Sequence, residues 1–142
     1  MGLCFSHGDA QWAYSGFLRF RGKLAKEIGI SLGLMEGFSV GYKKDNFKTV
    51  NTIKHVLNSD VDTTFLPEKP LKWDKVKDDI VLLINHSDCD DGLTVEECKN
   101  VAPRLREIVA DWRDNDFDKI EALELADGMD ICVKENEPLE FY

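Results

Sequence analysis

The chain lacks any apolar run approaching the roughly twenty residues that a membrane-spanning helix needs, so no membrane span is expected. It also lacks a Cys-x-x-Cys pair, because Cys4, Cys89, Cys98 and Cys132 are scattered. That spacing is not one of a zinc ribbon or finger, although His86, Cys89, Cys98 and His7 could meet in three dimensions. The thiols are read as free and mostly packed as small hydrophobes in a reducing compartment. There is no phosphate-binding loop and no nucleophile elbow. Ser6-His7-Asp9, and His86 with Cys89, lie too close in sequence to converge as a catalytic triad. No secretory signal is visible at the start, which sets the expectation of a cytoplasmic protein. Gly2 and Ser6 outline an acylation signal, but a buried first strand accounts for Leu3 and Phe5 equally well.

Positive charge is the other scarcity. The formal net charge is −9, with 18 Lys and Arg against 27 Asp and Glu, and it is unevenly spread. Through Trp73 there are 10 basic residues against 7 acids; beyond it, 8 against 20. A surface so acidic excludes nucleic acid as a partner of the second half, because phosphate contacts require cations. The mildly basic first half could still hold a small anion, for which a few placed arginines suffice.

What is present describes a globular protein. An apolar fraction of 43% and a charged fraction of 32% separate it from disordered chains, and 142 residues make one ordinary domain with room for a core. The fold class expected is mainly α: a single compact helical domain over 1–142. It has an EF-hand-like helix-loop-helix at 74–112, a variable insertion at 38–73 and a small terminal β-pair.

The elements follow from periodicity. Leu3 to Ser6 reads as a short strand, left through His7-Gly8-Asp9. Phe17, Phe20, Leu24 and Ile28 fall three and four apart, which predicts a helix from Tyr14 to Ile28 stopped by Gly29, with Arg19, Lys23 and Lys26 elsewhere on it. Ile30, Leu32 and Met35 suggest a short helical turn. Val76, Ile80, Leu83 and Ile84 predict a helix over Asp74 to Asn85. After the acidic loop, Cys98, Val101, Ala102, Leu105, Val109 and Trp112 continue an apolar stripe. Pro103 either kinks that helix or opens a new one. Phe117, Ile120, Leu123 and Ala126 predict a last helix stopped by Gly128, and Pro138 to Phe141 an edge strand beside Leu3 to Phe5.

The stretch His86 to Glu97 has the layout of a calcium-binding loop between two helices. Numbered from His86, Asp88 is third, Asp90 fifth and Glu97 twelfth, where an EF-hand places its carboxylates. The first position holds His86 instead of a carboxylate, and the sixth holds Asp91 where the turn needs glycine, Gly92 arriving one residue late. Thr94-Val-Glu-Glu97 is also a capping box, which explains Glu97 without an ion. The loop is therefore read as architectural, with no cofactor. If Ca2+ binds, its side-chain ligands are Asp88, Asp90 and Glu97.

The run from His86 to Cys98, together with Tyr14-Ser-Gly-Phe17, Arg19-Phe-Arg21 and Leu125-Ala-Asp-Gly-Met129, resembles a group of short phage and bacterial proteins. Their acidic loop reads His-Ser-Asp-Cys-Asp-Gly; this chain departs from it by Asp91. The resemblance covers the first forty or so residues and everything after Trp73. It implies a fold unit of its own and a phage setting. The group has no established activity, so no catalytic residues transfer.

The densest set of recognition side chains is His7, Asp9, Trp12, Tyr14, Ser15, Arg19 and Arg21, of which His7, Trp12, Tyr14, Arg19 and Arg21 are the expected ligand contacts. Aromatic faces that stack and guanidinium forks that grip phosphate are what a nucleotide-like anion needs, although aromatics at helical spacing are usually packing. The expected function is thus a non-enzymatic binding protein that holds a small anionic ligand, as in sequestration of a host defence signal. The alternatives are an acidic interaction module directed at a basic host protein, a weak Ca2+-binding protein, and a metal-dependent phosphoryl-transfer enzyme.

Overall fold

Phe17, Phe20, Leu24 and Ala25 are all buried along α1 (Tyr14–Glu27), which ends ahead of Gly29 as its periodicity requires. The computed structural model describes residues 2–36, 71–86 and 92–142. The described part is mainly helical with two small antiparallel strand pairs, as expected. The variable insertion read at 38–73 lies outside the described residues except for its last three, 71–73. Two units divide the chain: Met1–Phe17 with Asp78–Tyr142, and Leu18–Lys77.

In the first unit, β1 (Gly2–Cys4) pairs with β2 (Gln11–Ala13), Leu3 opposite Trp12. Both residues face inward, at 0% and 2% exposure. The chain then runs through α2 (Val81–Ile84), β3 (Gly92–Leu93), α3 (Val95–Val109), α4 (Phe117–Glu135) and β4 (Leu139–Glu140). Helices α3 and α4 form the main hairpin. Cys98, Val101, Ala102, Leu105 and Val109 are buried on one, and Ala122, Leu125, Ala126, Met129 and Cys132 on the other. Small residues on α4 let the two backbones approach. The C-terminal segment returns to the first strand: Phe5 bridges Phe141, and Cys4 and Tyr142 exchange both backbone bonds at 2.9 and 3.3 Å. An aromatic cluster closes this end, with Phe5–Phe141 centroids 4.9 Å apart and Trp12–Phe17 centroids 5.3 Å apart.

Lys119 joins the hairpin. Although it is only 8% exposed, its Nζ donates to the carbonyls of Ala110 and Trp112 and to Asp114 Oδ1, at 3.1, 2.8 and 2.8 Å. All three ammonium donors are thus used, and two carbonyls left over just past the end of α3 are satisfied.

In the second unit, a 3₁₀ turn at Leu32–Leu34 is followed by a bridge from Met35 to Leu71. A second such turn occupies Trp73–Lys75. The Trp73 indole donates to the Glu36 carbonyl at 2.8 Å.

Two local expectations are corrected, and one open alternative is decided. The helix expected over Asp74 to Asn85 is confined to Val81–Ile84. Val76 is extended, and Asp78 Oδ1 accepts the Ile80 N–H at 3.1 Å, which starts the helix late. Of the two alternatives at Pro103, a new helix opening there is excluded: Pro103 lies on the exposed side of one continuous α3. Gly128 does not stop the last helix, which runs on to Glu135. A Cβ at Gly128 would stand 3.0 Å from the His7 carbonyl carbon and 3.4 Å from Gly8 Cα. The glycine is there because the His7-Gly8 turn lies directly on α4.

Candidate functional site

That contact places His7 beside the C-terminal end of α4. The helix ends in a left-handed residue, Asn136 (φ 57°), and the Glu137 N–H folds back to the Cys132 carbonyl at 3.0 Å. Such a cap reverses the chain. Glu135, the last helical residue, and Glu137, just beyond the reversal, therefore present their carboxylates on the same side. His7 Nε2 stands 3.5 Å from Glu135 Oε2 and 3.3 Å from Glu137 Oε2.

The other ring nitrogen is also held. His7 Nδ1 is 2.7 Å from Ser6 Oγ, and that oxygen accepts the Glu140 N–H at 2.9 Å. With Nε2 facing carboxylates, the neutral ring carries its proton there. Ser6 Oγ then donates to Nδ1. A cleft of about 340 Å³ opens over this group, lined by Ser6, His7, Glu137, Pro138, Glu140 and Tyr142. The order serine–imidazole–carboxylate is that of a hydrolase triad, and the serine oxygen in addition accepts the Glu140 N–H.

The ends of the acidic loop are described, while Asp88, Cys89, Asp90 and Asp91 lie outside the described residues. His86 Nε2 donates to the Gly92 carbonyl at 3.0 Å, and its ring packs on Phe141 with centroids 4.3 Å apart. Glu97 Oε1 accepts the Thr94 N–H at 2.9 Å while Thr94 Oγ1 accepts the Glu97 N–H at 3.1 Å, the capping box in full. Thus the first, seventh and twelfth loop positions each make a protein hydrogen bond where an EF-hand would turn oxygen to an ion. Gly92 is explained by packing: a Cβ there would come within 2.9 Å of Glu140 Cα on the paired strand β4.

The helix-one set divides by exposure. Tyr14 and Arg19 are exposed; Trp12 and Arg21 are buried, at 2% and 5% exposure. The Trp12 indole donates to Asp118 Oδ1 at 3.0 Å, inside the first unit. Arg19 and Arg21 are about 200° apart around α1 at ~100° per residue. Arg21 falls at the buried spacing set by Phe17, Leu24 and Ala25.

Two thiols sit in the α3–α4 interface. Burial, reinforced by neighbouring Cys132, pushes the Cys98 thiol up to about 12, and burial likewise raises Cys132. Both are held protonated, as packed cysteines rather than nucleophiles.

Sequence reasoning missed the outer face of α4. Phe117, Ile120, Leu123 and Ile131 are 61%, 45%, 36% and 39% exposed, on the side opposite the packed Ala122, Leu125, Met129 and Cys132. Glu124, Asp127 and Asp130 stand among them, and Arg106 of α3 reaches Asp127 and Asp130 at 2.8 and 2.6 Å. Phe117 also borders a shallow cleft of about 370 Å³ with Gly2, Gln11, Trp12, Ala13 and Glu121. The signal was available: Phe117, Ile120 and Leu123 repeat every three residues, while Ala122, Leu125, Ala126 and Met129 form a second apolar face. Among the described residues, no helix is long and apolar enough to cross a membrane. Compared with protein-family models, curated proteins and solved structures, the chain matches none.

Proposed function

We propose that the chain is a non-enzymatic binding protein, and that the outer face of α4 docks a basic amphipathic segment of another protein. The observation that carries this reading is the row of exposed apolar side chains on a 19-residue helix, bordered by carboxylates. Helix-in-groove and helix-on-helix recognition use anchors at this three-to-four spacing. A partner with apolar anchors and lysines or arginines beside them would satisfy both the stripe and the −9 charge. In the phage setting that the acidic loop resembles, the partner is a host protein whose own cationic site is blocked.

A lysine-rich amphipathic helical peptide, titrated by fluorescence anisotropy, tests this. It should bind, and an acidic peptide of the same apolar pattern should not. Ile120→Asp should weaken binding at least tenfold without lowering the melting temperature, since Ile120 is 45% exposed. Equal binding of both peptides would overturn the reading.

The anionic-ligand reading is second, and it rests on Arg19 being exposed on α1. Salt separates the two. A long-range contact with the acidic face weakens as the Debye length shrinks from about 10 Å to about 3 Å, whereas a desolvated guanidinium–phosphate contact persists.

A further inference from the structure

The carboxylates of Glu135 and Glu137 belong to neither reading, and together they give His7 a chemistry different from that of an anion site. We propose that the three side chains bind a divalent transition metal ion of the zinc class through His7 Nε2, Glu135 Oε2 and Glu137 Oε2, with a further coordination position open to the cleft.

The donor spacing supports this. With metal–ligand bonds of about 2.0–2.2 Å, donors at the corners of a tetrahedron stand roughly 3.3–3.6 Å apart. The two imidazole–carboxylate separations are 3.3 and 3.5 Å. All three donor atoms lie within 4.8 Å of one another, close to the spacing that one shared ion requires. Both carboxylates are about half exposed, at 51% and 57%, so small side-chain rotations suffice, while His7, at 14%, is fixed.

The support behind the ligand is also present. A metal-bound histidine commonly donates its second ring N–H to an acceptor that fixes its tautomer. Ser6 Oγ is 2.7 Å from Nδ1 and is oriented by the Glu140 N–H. On metal binding, Nε2 gives its lone pair to the ion and the ring proton moves to Nδ1. Nδ1–H then donates to Ser6 Oγ, which has two lone pairs, one for this bond and one for the Glu140 N–H. Its own hydrogen turns toward the cleft. The neutral ring keeps one proton throughout.

The electrostatics act in the same direction. Two carboxylates at a helix C-terminus stand at the negative end of the macrodipole, where anions are disfavoured and a cation is stabilised. The imidazole nitrogen selects against calcium and magnesium, which prefer all-oxygen shells. The open position, bounded by Pro138, Glu140 and Tyr142, leaves room for a water or a small ligand on the ion.

The probe is zinc alone, titrated calorimetrically into metal-stripped full-length protein, with cobalt(II) as a spectroscopic substitute. The expected result is one equivalent of zinc, not displaced by excess magnesium. Glu135→Gln combined with Glu137→Gln should abolish binding, and Ser6→Ala should weaken it about 10- to 100-fold. The two glutamines replace exposed carboxylates, so that variant retains its fold, and an unchanged melting temperature without metal checks this. Asp88→Asn with Asp90→Asn should leave zinc affinity unchanged. The cobalt spectrum should carry visible d–d bands without thiolate-to-metal charge transfer. Failure to bind zinc, binding that survives the double glutamine change, or a thiolate band pointing to the cysteines would each overturn the proposal.

Discussion

Lys119 and Gly128 show how much single residues decide here. Lys119 serves three acceptors from a buried position, so Lys119→Met keeps the aliphatic stem and deletes only the donors. It should destabilise the protein by about 1–3 kcal/mol, since the Ala110 and Trp112 carbonyls lose the ammonium that caps them, and urea unfolding of the two proteins would show it. Gly128→Ala would ordinarily favour a helix by roughly 1 kcal/mol. Here the added methyl meets the His7 carbonyl, so we expect a net loss of about 1–3 kcal/mol; a higher melting temperature would contradict the close approach. Residue-scale legibility was uneven. The burial of Arg21 could have been read from the spacing of Phe17, Leu24 and Ala25, because the helical period ignores residue type. The meeting of His7 with Glu137 could not, since 130 positions separate them and no local pattern records it.

At the scale of elements, α1 and the start of α3 were legible because their signals are local: one apolar face, and one capping box that formed as written. The element before the acidic loop was misread because its fate depends on a distant residue. Asp78 takes a bidentate grip from Arg104, with Nε–Oδ1 at 3.0 Å and Nη2–Oδ2 at 2.9 Å, while its Oδ1 also accepts the Ile80 N–H at 3.1 Å ahead of the short helix. The Arg104 hydrogen bond holds the Asp78 carboxyl below its ordinary value of 3.8 against the opposing effect of burial. A depressed carboxylate stabilises the fold fully above its unfolded value and loses that contribution as pH falls through the folded one. Stability should therefore drop as pH falls below about 4, and Asp78→Asn should flatten that part of the profile. At pH 7, Arg104→Ala should cost about 1–2 kcal/mol, more than an exposed ion pair because the grip is bidentate. Denaturant midpoints across pH would measure both.

For the whole molecule, charge, helical content and the return of the C-terminal segment to Leu3–Phe5 were readable from composition and period, whereas the site was not, because it is made by the chain reversal at Asn136. The acidic loop illustrates the limit. Its spacing suggests an ion, while His86, Gly92 and Glu97 are engaged with each other or with Thr94. Melting temperatures in calcium and in chelator should agree within a few degrees, and a large rise at micromolar calcium would restore Asp88, Asp90 and Glu97 as ligands. Recognition through α4, as proposed, is read residue by residue in amide chemical-shift mapping during titration with the basic amphipathic peptide. Shifts should concentrate at Phe117, Ile120, Leu123, Glu124, Asp127 and Ile131. Shifts centred on Tyr14 and Arg19 of α1, or none anywhere, would contradict it.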